Sequence, residues 1–248
     1  MGLRRLERDW EDLATLDPLW AILADPNRQH GRWDLEEFFA TGVQEVSELL
    51  RVAEELGCSP TRGRALDFGC GVGRLTRALS AEFEECVGVD ISGEMIKSAR
   101  ELNADRPNCR FLVNVTPDLA LVEAGTFDFV LSLIVLQHVP SGRAALGYVA
   151  EFLRVLRPGG LLVFQLPTEI ALRNRRQLRR RAYTLLRELG VSERFLYGRA
   201  GLHPVRMIAV PRAKVEAAVA ADGGVVVQAA PDDLAGGMGS YRYYVRRP

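Results

Sequence analysis

The sequence has no excess of charge of either sign, no long hydrophobic run and no paired cysteine motif. Its 32 Lys and Arg residues balance 32 Asp and Glu residues, which disfavours the broadly basic surface of a nonspecific nucleic-acid binder. The longest apolar run, 129–136, is interrupted by Ser132 and is far shorter than the roughly 20 residues of a transmembrane helix. The four cysteines form no C-x-x-C pair, and no histidine lies at zinc-ligand spacing from them. We therefore predict neither a metal site nor structural disulfides.

The length and composition are those of an ordinary globular protein. A chain of 248 residues, 48% of them hydrophobic, predicts one large α/β domain or a domain with a small appendage. The first ten residues are too charged for a secretory signal, so we expect a cytoplasmic protein that needs no membrane partner. The sequence does not predict the oligomeric state.

The pattern of apolar and polar residues changes near residue 60. Residues 1–60 are predicted to form an N-terminal helical cap, because apolar residues recur at helical spacing after a start at Asp34. Residues 61–248 alternate between apolar strands and helical stretches, which predicts a largely parallel sheet with helices on both faces. The predicted strands are 65–68, 86–90, 110–113, 127–133, 161–165, 225–228 and 241–245, and the predicted helices are 74–83, 92–103, 148–156 and 211–221.

An arginine-rich segment interrupts this alternation between residues 168 and 210. Seven arginines are clustered in it: Arg173, Arg175, Arg176, Arg179, Arg180, Arg181 and Arg187. Three interpretations are open: a solvated helix that pairs with acids elsewhere, a binding surface for an acceptor that carries phosphate or carboxylate, or a surface for an acidic partner. We predict that 168–210, together with the N-terminal helices, forms a lid over the acceptor.

A glycine-rich loop, 67–74, joins a predicted strand to a helix, the arrangement in which a ligand approaches backbone N–H groups. Its spacing is G-x-G-x-G, and the third glycine of the dinucleotide motif G-x-G-x-x-G would fall on Arg74. Asp67 before the loop would repel a pyrophosphate and attract a cationic group. Asp90, at the end of the next strand, can accept hydrogen bonds from both hydroxyls of a ribose. These residues predict a nucleoside ligand with an amino group and disfavour a dehydrogenase.

Several segments in succession resemble the core of the class I S-adenosylmethionine-dependent methyltransferase family, over residues 63–165. The glycine loop is similar to the first motif of that family, 87–90 to its ribose-binding strand, 127–132 to its fourth strand, and 156–160 to the turn before its fifth strand. The resemblance implies an α/β, Rossmann-like sheet of seven strands, mostly parallel with an antiparallel last strand. It also implies S-adenosylmethionine as the cofactor, S-adenosylhomocysteine as its product, and no metal.

The resemblance assigns cofactor contacts position by position. Asp67 would lie near the amino-acid end of the cofactor, and Ile91 would pack on the adenine beside the ribose contact of Asp90. The adenine amino group would be recognised by Asn114, by Asp118 or by the backbone of Leu119, three alternatives that the sequence leaves open. The remaining predicted contacts are Gly69, Cys70 and Gly71 in the loop, and Ser132 and Leu133 beside the methionine moiety.

The acceptor is predicted to lie beside Gln137 and His138, which follow the fourth strand where the family places acceptor-facing residues. His138 is the candidate base, because a hydroxyl acceptor needs one, although a histidine here could equally cap a helix or pack. Trp33 and His203 are further candidate acceptor contacts. We predict methyl transfer to a hydroxyl group of a small molecule, such as a sugar or a natural-product-like metabolite. The alternatives are an N-methyltransferase, an RNA methyltransferase that uses the arginine-rich helix, and a non-catalytic S-adenosylmethionine-binding protein.

Overall fold

The computed structural model describes residues 2–170, 178–232 and 239–248. The helices are α1 (Leu3–Leu16), α2 (Pro18–Ile22), α3 (Leu35–Glu55), α4 (Arg74–Leu79), α5 (Gly93–Leu102), α6 (Gly142–Val155), α7 (Leu178–Glu188), α8 (Glu193–Gly198) and α9 (Arg212–Ala221). The strands are β1 (Arg64–Phe68), β2 (Glu85–Asp90), β3 (Cys109–Val113), β4 (Phe127–Ser132), β5 (Leu156–Pro167), β6 (Val225–Pro231) and β7 (Ser240–Arg246). Short 3₁₀ turns lie at Pro26–Arg28 and Leu136–His138.

The seven strands form one sheet in the order β3-β2-β1-β4-β5-β7-β6. β7 is antiparallel to both of its neighbours, β5 and β6, and the pairs among the first five strands are parallel. The predicted fold class is therefore confirmed: a Rossmann-like sheet of seven strands with an antiparallel last strand.

Alternate residues of the strands bury two separate apolar layers, one on each face of the sheet. Leu66 of β1 faces a layer that contains Phe152 of α6. Its neighbour Ala65 points to the opposite face and packs in a layer that contains Leu49 of α3 and Leu79 of α4. The near-continuous apolar strands of the sequence follow from this burial on both sides.

The three largest differences between predicted and observed boundaries lie in α6, α4 and β5. α6 begins at Gly142 instead of residue 148, because the hydroxyl of Ser141 caps it by accepting a hydrogen bond from the N–H of Ala144 at 3.2 Å. α4 ends at Leu79, and a turn covers the rest of the predicted helix. β5 is longer than predicted, because its first residue, Leu156, already pairs with β4 before a register shift.

The N-terminal helices and the segment after β5 are connected by side-chain hydrogen bonds. The hydroxyl of Tyr183 in α7 donates to the carboxylate of Asp12 in α1 at 2.9 Å. The hydroxyl of Tyr197 in α8 donates to Asp17, the residue between α1 and α2, at 3.0 Å. None of the described helices is long and apolar enough to cross a membrane. The division into a cap of 1–60 and a domain of 61–248 stays a prediction.

Candidate functional site

A deep cavity lies at the carboxyl ends of β1, β2 and β4. The strand order reverses here, since β1 pairs with β2 on one side and with β4 on the other. Open α/β sheets bind ligands at such a switch point. The cavity contains about 900 Å³ of space, part of it continuous with solvent. Nine of the predicted site residues line it: Asp67, Gly69, Cys70, Gly71, Asp90, Ile91, Asn114, Leu133 and His138.

The glycine loop needs glycine for room as well as for backbone conformation, as Gly69 and Gly71 show. Gly69 has a φ of 77°, and a Cβ there would lie 2.2 Å from Cγ2 of Val135. Gly71 has a φ of 53°, and a Cβ there would lie 2.5 Å from Cδ1 of Ile22, in α2. The loop is therefore in close contact with the residues after β4 and with the N-terminal helices.

Asp90 joins the end of β2 to the glycine loop. One carboxylate oxygen accepts a hydrogen bond from the N–H of Gly71 at 2.8 Å, and the other accepts one from the N–H of Ser92 at 3.0 Å. Burial raises the pKa of Asp90, while these backbone donors oppose the rise. Each oxygen keeps a second lone pair for a further donor. The carboxylate is thus held in place with accepting capacity still available.

Asp67 lies deeper, at the end of β1, with 2% of its surface exposed. Its carboxylate accepts a hydrogen bond from the hydroxyl of Thr76 in α4 at 2.7 Å. Burial raises the pKa of Asp67 to about 6, against the lowering effects of Thr76 and of the guanidinium of Arg74. A cation brought close to Asp67 would favour its ionised form.

Arg74 also lines the cavity, although the sequence analysis assigned it no role. It is 4% exposed, and its Nη1 donates to the hydroxyl of Thr41 at 3.2 Å. Over 2–170, 178–232 and 239–248, no acceptor reaches its buried Nε. Burial lowers the pKa of Arg74, while Glu45 and Asp67 raise it. Its place at the first helical position after the glycine loop was the signal that could have identified it.

The N-terminal helices contribute to the lining of the cavity through side chains that the sequence analysis did not name. Leu6 and Trp10 of α1 and Ile22 of α2 belong to its lining. The carboxylate of Glu11 in α1 accepts hydrogen bonds from two N–H groups at the start of α5, those of Gly93 at 2.6 Å and Glu94 at 3.3 Å. A carboxylate at a helix N-terminus is stabilised by the helix dipole and by free N–H donors.

His138 lines the cavity from the turn after β4. Its Nδ1 lies 2.6 Å from the backbone oxygen of Arg206, and its Nε2 lies 3.2 Å from Nε2 of Gln137. Since a carbonyl oxygen can only accept, Nδ1 carries the proton and Nε2 keeps its lone pair. Burial lowers the pKa of His138 to about 4, so its imidazole is neutral at pH 7. The indole of Trp10 meets the ring edge-on, with centroids 5.4 Å apart.

Of the three alternatives for the adenine contact, only Asn114 lines the cavity. Its Nδ2 donates to the backbone oxygen of Asp118 at 2.8 Å. Asp118 is exposed, and its carboxylate accepts from the hydroxyl of Thr116 at 2.9 Å. Leu119 is buried in the core, with its N–H donating to Glu151 at 2.7 Å. The structure thus brings only Asn114 to the cavity.

Four other predicted residues lie outside the lining. Ser132 is buried and donates to the backbone oxygen of Phe68 at 3.2 Å. The indole of Trp33 donates to the backbone oxygen of Leu23 at 3.2 Å. His203 packs against Trp20, with ring centroids 6.5 Å apart. Gln137 is buried behind His138. Their roles at the acceptor or cofactor stay predictions.

The arginine-rich segment is described from residue 178 onward. Arg173, Arg175 and Arg176 lie outside the described residues. In α7, Arg187 pairs with Asp12 at 3.5 Å and with Glu193 at 3.1 Å. This arginine therefore matches the interpretation of a helix that pairs with acids elsewhere.

Comparisons with known proteins agree with this architecture. Residues 66–164 match a family described as "Methyltransferase domain". The chain is 31% identical over 138 residues to a "Ubiquinone biosynthesis O-methyltransferase" of Paracidovorax citrulli, covering 54% of this chain and 56% of the relative. It is 33% identical over 105 residues to a "2-methyl-6-phytyl-1,4-hydroquinone methyltransferase" of Synechocystis, covering 42% of this chain and 32% of the relative. The matches therefore span about half the length of these relatives or less.

Two solved structures share the fold over nearly the whole chain. The magnesium protoporphyrin IX methyltransferase of Synechocystis, solved with bound S-adenosylhomocysteine, has a TM-score of 0.63 at 20% identity and covers 99% of this chain and 100% of its own. An S-adenosylmethionine-dependent methyltransferase of Leishmania major has a TM-score of 0.65 at 12% identity and covers 97% of this chain and 82% of its own.

Proposed function

We propose that this chain, whose residues 66–164 belong to the class I S-adenosylmethionine-dependent methyltransferase family, transfers the methyl group of S-adenosylmethionine to a small-molecule acceptor. The family prediction is confirmed by the domain match and by the fold. The observation that carries the proposed activity is one cavity, at the reversal of strand order, that is lined by Asp67, the glycine loop and Asp90 together.

The residues of the cavity fit the nucleoside part of this cofactor. Asp90 has lone pairs left for the two ribose hydroxyls after its hydrogen bonds to Gly71 and Ser92. Ile91 and Met95 supply apolar surface beside it for an adenine ring. Asn114, directly after β3, lines the same cavity.

The opposite part of the cavity fits a zwitterionic amino-acid group. The Nε donor of the buried guanidinium of Arg74 has no acceptor in the part of the chain that the structure describes, and a carboxylate is the group that would pair with it best. Asp67 supplies the opposite charge for an ammonium group. Because one buried cation and one buried anion line the same cavity, a ligand with both charges would satisfy each of them.

When bound, S-adenosylmethionine supplies an activated methyl group on a sulfonium, so the chain contributes mainly orientation, proximity and exclusion of water, together with a base for a hydroxyl acceptor. Leu6, Trp10 and Ile22 cover the cavity with apolar side chains and so keep water from the reacting atoms. The hydrogen bonds of Glu11 hold this cover on α5.

His138 supports a hydroxyl as the methyl-accepting group. The carbonyl of Arg206 holds its Nδ1 proton, so Nε2 is the basic nitrogen. Its lone pair accepts a hydrogen bond from the amide of Gln137 at 3.2 Å, and an acceptor hydroxyl that takes the place of this donor would transfer its proton to Nε2. The imidazole is neutral at pH 7 because burial lowers its pKa to about 4. The curated relatives include O-methyltransferases of ubiquinone biosynthesis, which agrees with a small hydroxylated acceptor.

The test is a comparison of ligands on the purified chain by calorimetry and thermal shift. We expect S-adenosylhomocysteine to bind and to stabilise the chain by about 2.7 kcal/mol at a hundredfold excess over its Kd, and NAD to have no effect. Asp90→Ala should abolish most of this response. Glu84→Ala, at an exposed position before the other end of β2, should retain it.

A second measurement addresses turnover. The chain is incubated with S-adenosylmethionine and a panel of small hydroxylated acceptors, amines and RNA, and formation of S-adenosylhomocysteine is followed. Turnover on hydroxylated acceptors supports the proposal. Turnover on amines or RNA alone would show that the acceptor is an amine or an RNA and that the proposed hydroxyl acceptor is wrong. Binding without turnover on any member would indicate a binding protein, and stabilisation by NAD alone would overturn the cofactor.

A further inference from the structure

Helix α7 turns large apolar side chains toward solvent. Leu178 and Leu185 have 65% and 58% of their surface exposed. Leu189 continues the last turn of the helix, since its N–H donates to the oxygen of Leu185 at 3.1 Å, and it is 72% exposed. These are the three highest exposures among the large hydrophobic residues that the structure describes. A surface helix normally directs its apolar residues to the core, and a contiguous exposed apolar patch indicates an interaction surface.

These three leucines, here named the leucine stripe, lie on one side of α7. At about 100° per residue, Leu185 and Leu189 lie within about 20° of Leu178 around the helix axis. Tyr183 lies about 140° away from Leu178. It is buried, and its hydroxyl donates to Asp12 of α1. The contact with α1 therefore fixes α7 with the leucine stripe outward.

The chain around the leucine stripe carries an excess of positive charge. Residues 178–199 contain six arginines and only two glutamates. Both glutamates are already paired, Glu188 with Arg5 at 3.4 Å and Glu193 with Arg187 at 3.1 Å. The acids of this segment therefore do not balance its other arginines.

Arg179 and Arg181 flank the leucine stripe on its two sides. They lie about 100° from Leu178 in one direction and about 60° in the other, and both are exposed. In the part of the chain that the structure describes, neither of them forms an ion pair with a carboxylate. The outer face of α7 thus has an apolar centre between two exposed positive charges.

We propose that the leucine stripe binds the surface of a bilayer that contains anionic phospholipids. An amphipathic helix with basic residues beside its apolar face lies in the plane of the interface, with the apolar side chains among the acyl chains. The guanidinium groups of Arg179 and Arg181 would then lie at the level of the phosphate groups, to which their charge is complementary. Leucines that are more than half exposed protrude from the protein, and a fluid acyl layer can surround them without a preformed groove.

This inference goes beyond the proposed function, because none of the residues of the leucine stripe lines the proposed cofactor cavity. A helix bound in this way lies on a membrane and does not cross it. The inference would replace the expectation from the sequence that the chain needs no membrane partner.

Vesicle flotation with the purified full chain tests the proposal. Vesicles of phosphatidylcholine are compared with vesicles of phosphatidylcholine and phosphatidylglycerol in equal parts. We expect the chain to bind the mixed vesicles at least about tenfold more tightly than the neutral ones, and salt at about 1 M to weaken this binding because it screens exposed charges. No binding to the mixed vesicles, or equal binding to both kinds, would overturn the proposal.

Two variants and their controls locate the binding surface. Leu185→Asn should weaken binding to the mixed vesicles by about tenfold or more, because it removes apolar surface from the acyl layer. Leu35→Asn makes the same change at an exposed position of α3 and should retain binding. Arg181→Gln should weaken binding by about fivefold, whereas Arg143→Gln, at an exposed position of α6, should not. Equal effects of the α7 variants and their controls would place the lipid contact elsewhere and overturn the proposal.

Sedimentation velocity distinguishes a lipid surface from a second copy of the chain as the occupant of the leucine stripe. The same mass for the unaltered chain and for Leu185→Asn agrees with the proposal. A dimer that Leu185→Asn dissociates would show that a second copy covers the leucine stripe, and would overturn it. The thermal unfolding temperature of Leu185→Asn should equal that of the unaltered chain, so that a loss of vesicle binding reflects the lost leucine and not a loss of fold.

Discussion

The carboxylate of Glu11 lies 2.6 Å from the backbone nitrogen of Gly93, 82 positions later in the chain. Gly93 begins the helix that follows Asp90, the proposed ribose contact. One hydrogen bond therefore connects the helix that covers the cavity to the strand end that would hold the nucleoside. This pair would couple the cover to the proposed cofactor contact and would make α1 part of the proposed binding site.

Glu11→Gln tests this coupling. Loss of the charge at the start of α5 should destabilise the chain by about 1 kcal/mol and loosen the cover, so S-adenosylhomocysteine should dissociate faster. Stopped-flow measurement of its release, together with thermal unfolding, gives both values. The control is Glu101→Gln, which makes the same change at an exposed position of α5. If S-adenosylhomocysteine dissociates at the same rate from both variants, Glu11 does not hold α1 over the cavity.

His138→Gln tests the proposed base. Removal of a general base costs about 10²–10⁴ in rate, so methylation of any hydroxyl acceptor found for the chain should fall by this range in kcat. Calorimetry should find the affinity for S-adenosylhomocysteine nearly unchanged. His203→Gln is the comparison, because His203 lies outside the cavity lining; a larger loss of kcat there would transfer the role to His203.

The raised pKa of Asp67 predicts how the affinity for the cofactor product depends on pH. In the free chain the pKa of Asp67 is about 6, so the carboxyl is protonated below this value and ionised above it. A bound ammonium favours the ionised form, so binding releases a proton at low pH. Affinity for S-adenosylhomocysteine should therefore rise between about pH 5 and pH 7, by at most about tenfold per unit, and level off above this range.

Two variants test whether Asp67 causes this pH dependence. Asp67→Asn cannot ionise, so its affinity should be lower at pH 7.5 and nearly flat across the same range. Asp9 of α1 also has a pKa of about 6, but it does not line the proposed cofactor cavity. Asp9→Asn should therefore keep the rise of affinity with pH. If the slope disappears in Asp9→Asn and survives in Asp67→Asn, the ammonium does not lie beside Asp67.

The sheet and most of the residues that line the cavity could be predicted because the patterns that specify them are local in sequence. Apolar strands separated by helical segments imply parallel pairing, and a glycine loop between a strand and a helix carries its own conformational signature. Asp90 follows directly from its place at a strand end. The start of α6 was predicted too late, because the apolar spacing indicated residue 148. The structure begins the helix at Gly142, where the hydroxyl of Ser141 caps it.

The choice among Asn114, Asp118 and Leu119 could not be made from sequence. They lie within six positions of each other in one loop, and only the turn that Asn114 makes with Asp118 decides which of them reaches the cavity. Arg74 shows the same limit: its burial beside Thr41, and the free Nε that follows, depend on how α3 packs on α4.

The sequence by itself determined the fold class, the family and the strand ends at which a nucleoside would bind, because periodicity and a short motif encode these locally. Only the tertiary structure decided which side chains of α1 line the cavity, that the carbonyl of Arg206 orients His138, and that Arg74 is buried beside Thr41. Each of these contacts joins segments far apart in the chain. Such pairs form because packing of the sheet and its helices brings them together, and no local pattern of residues specifies them.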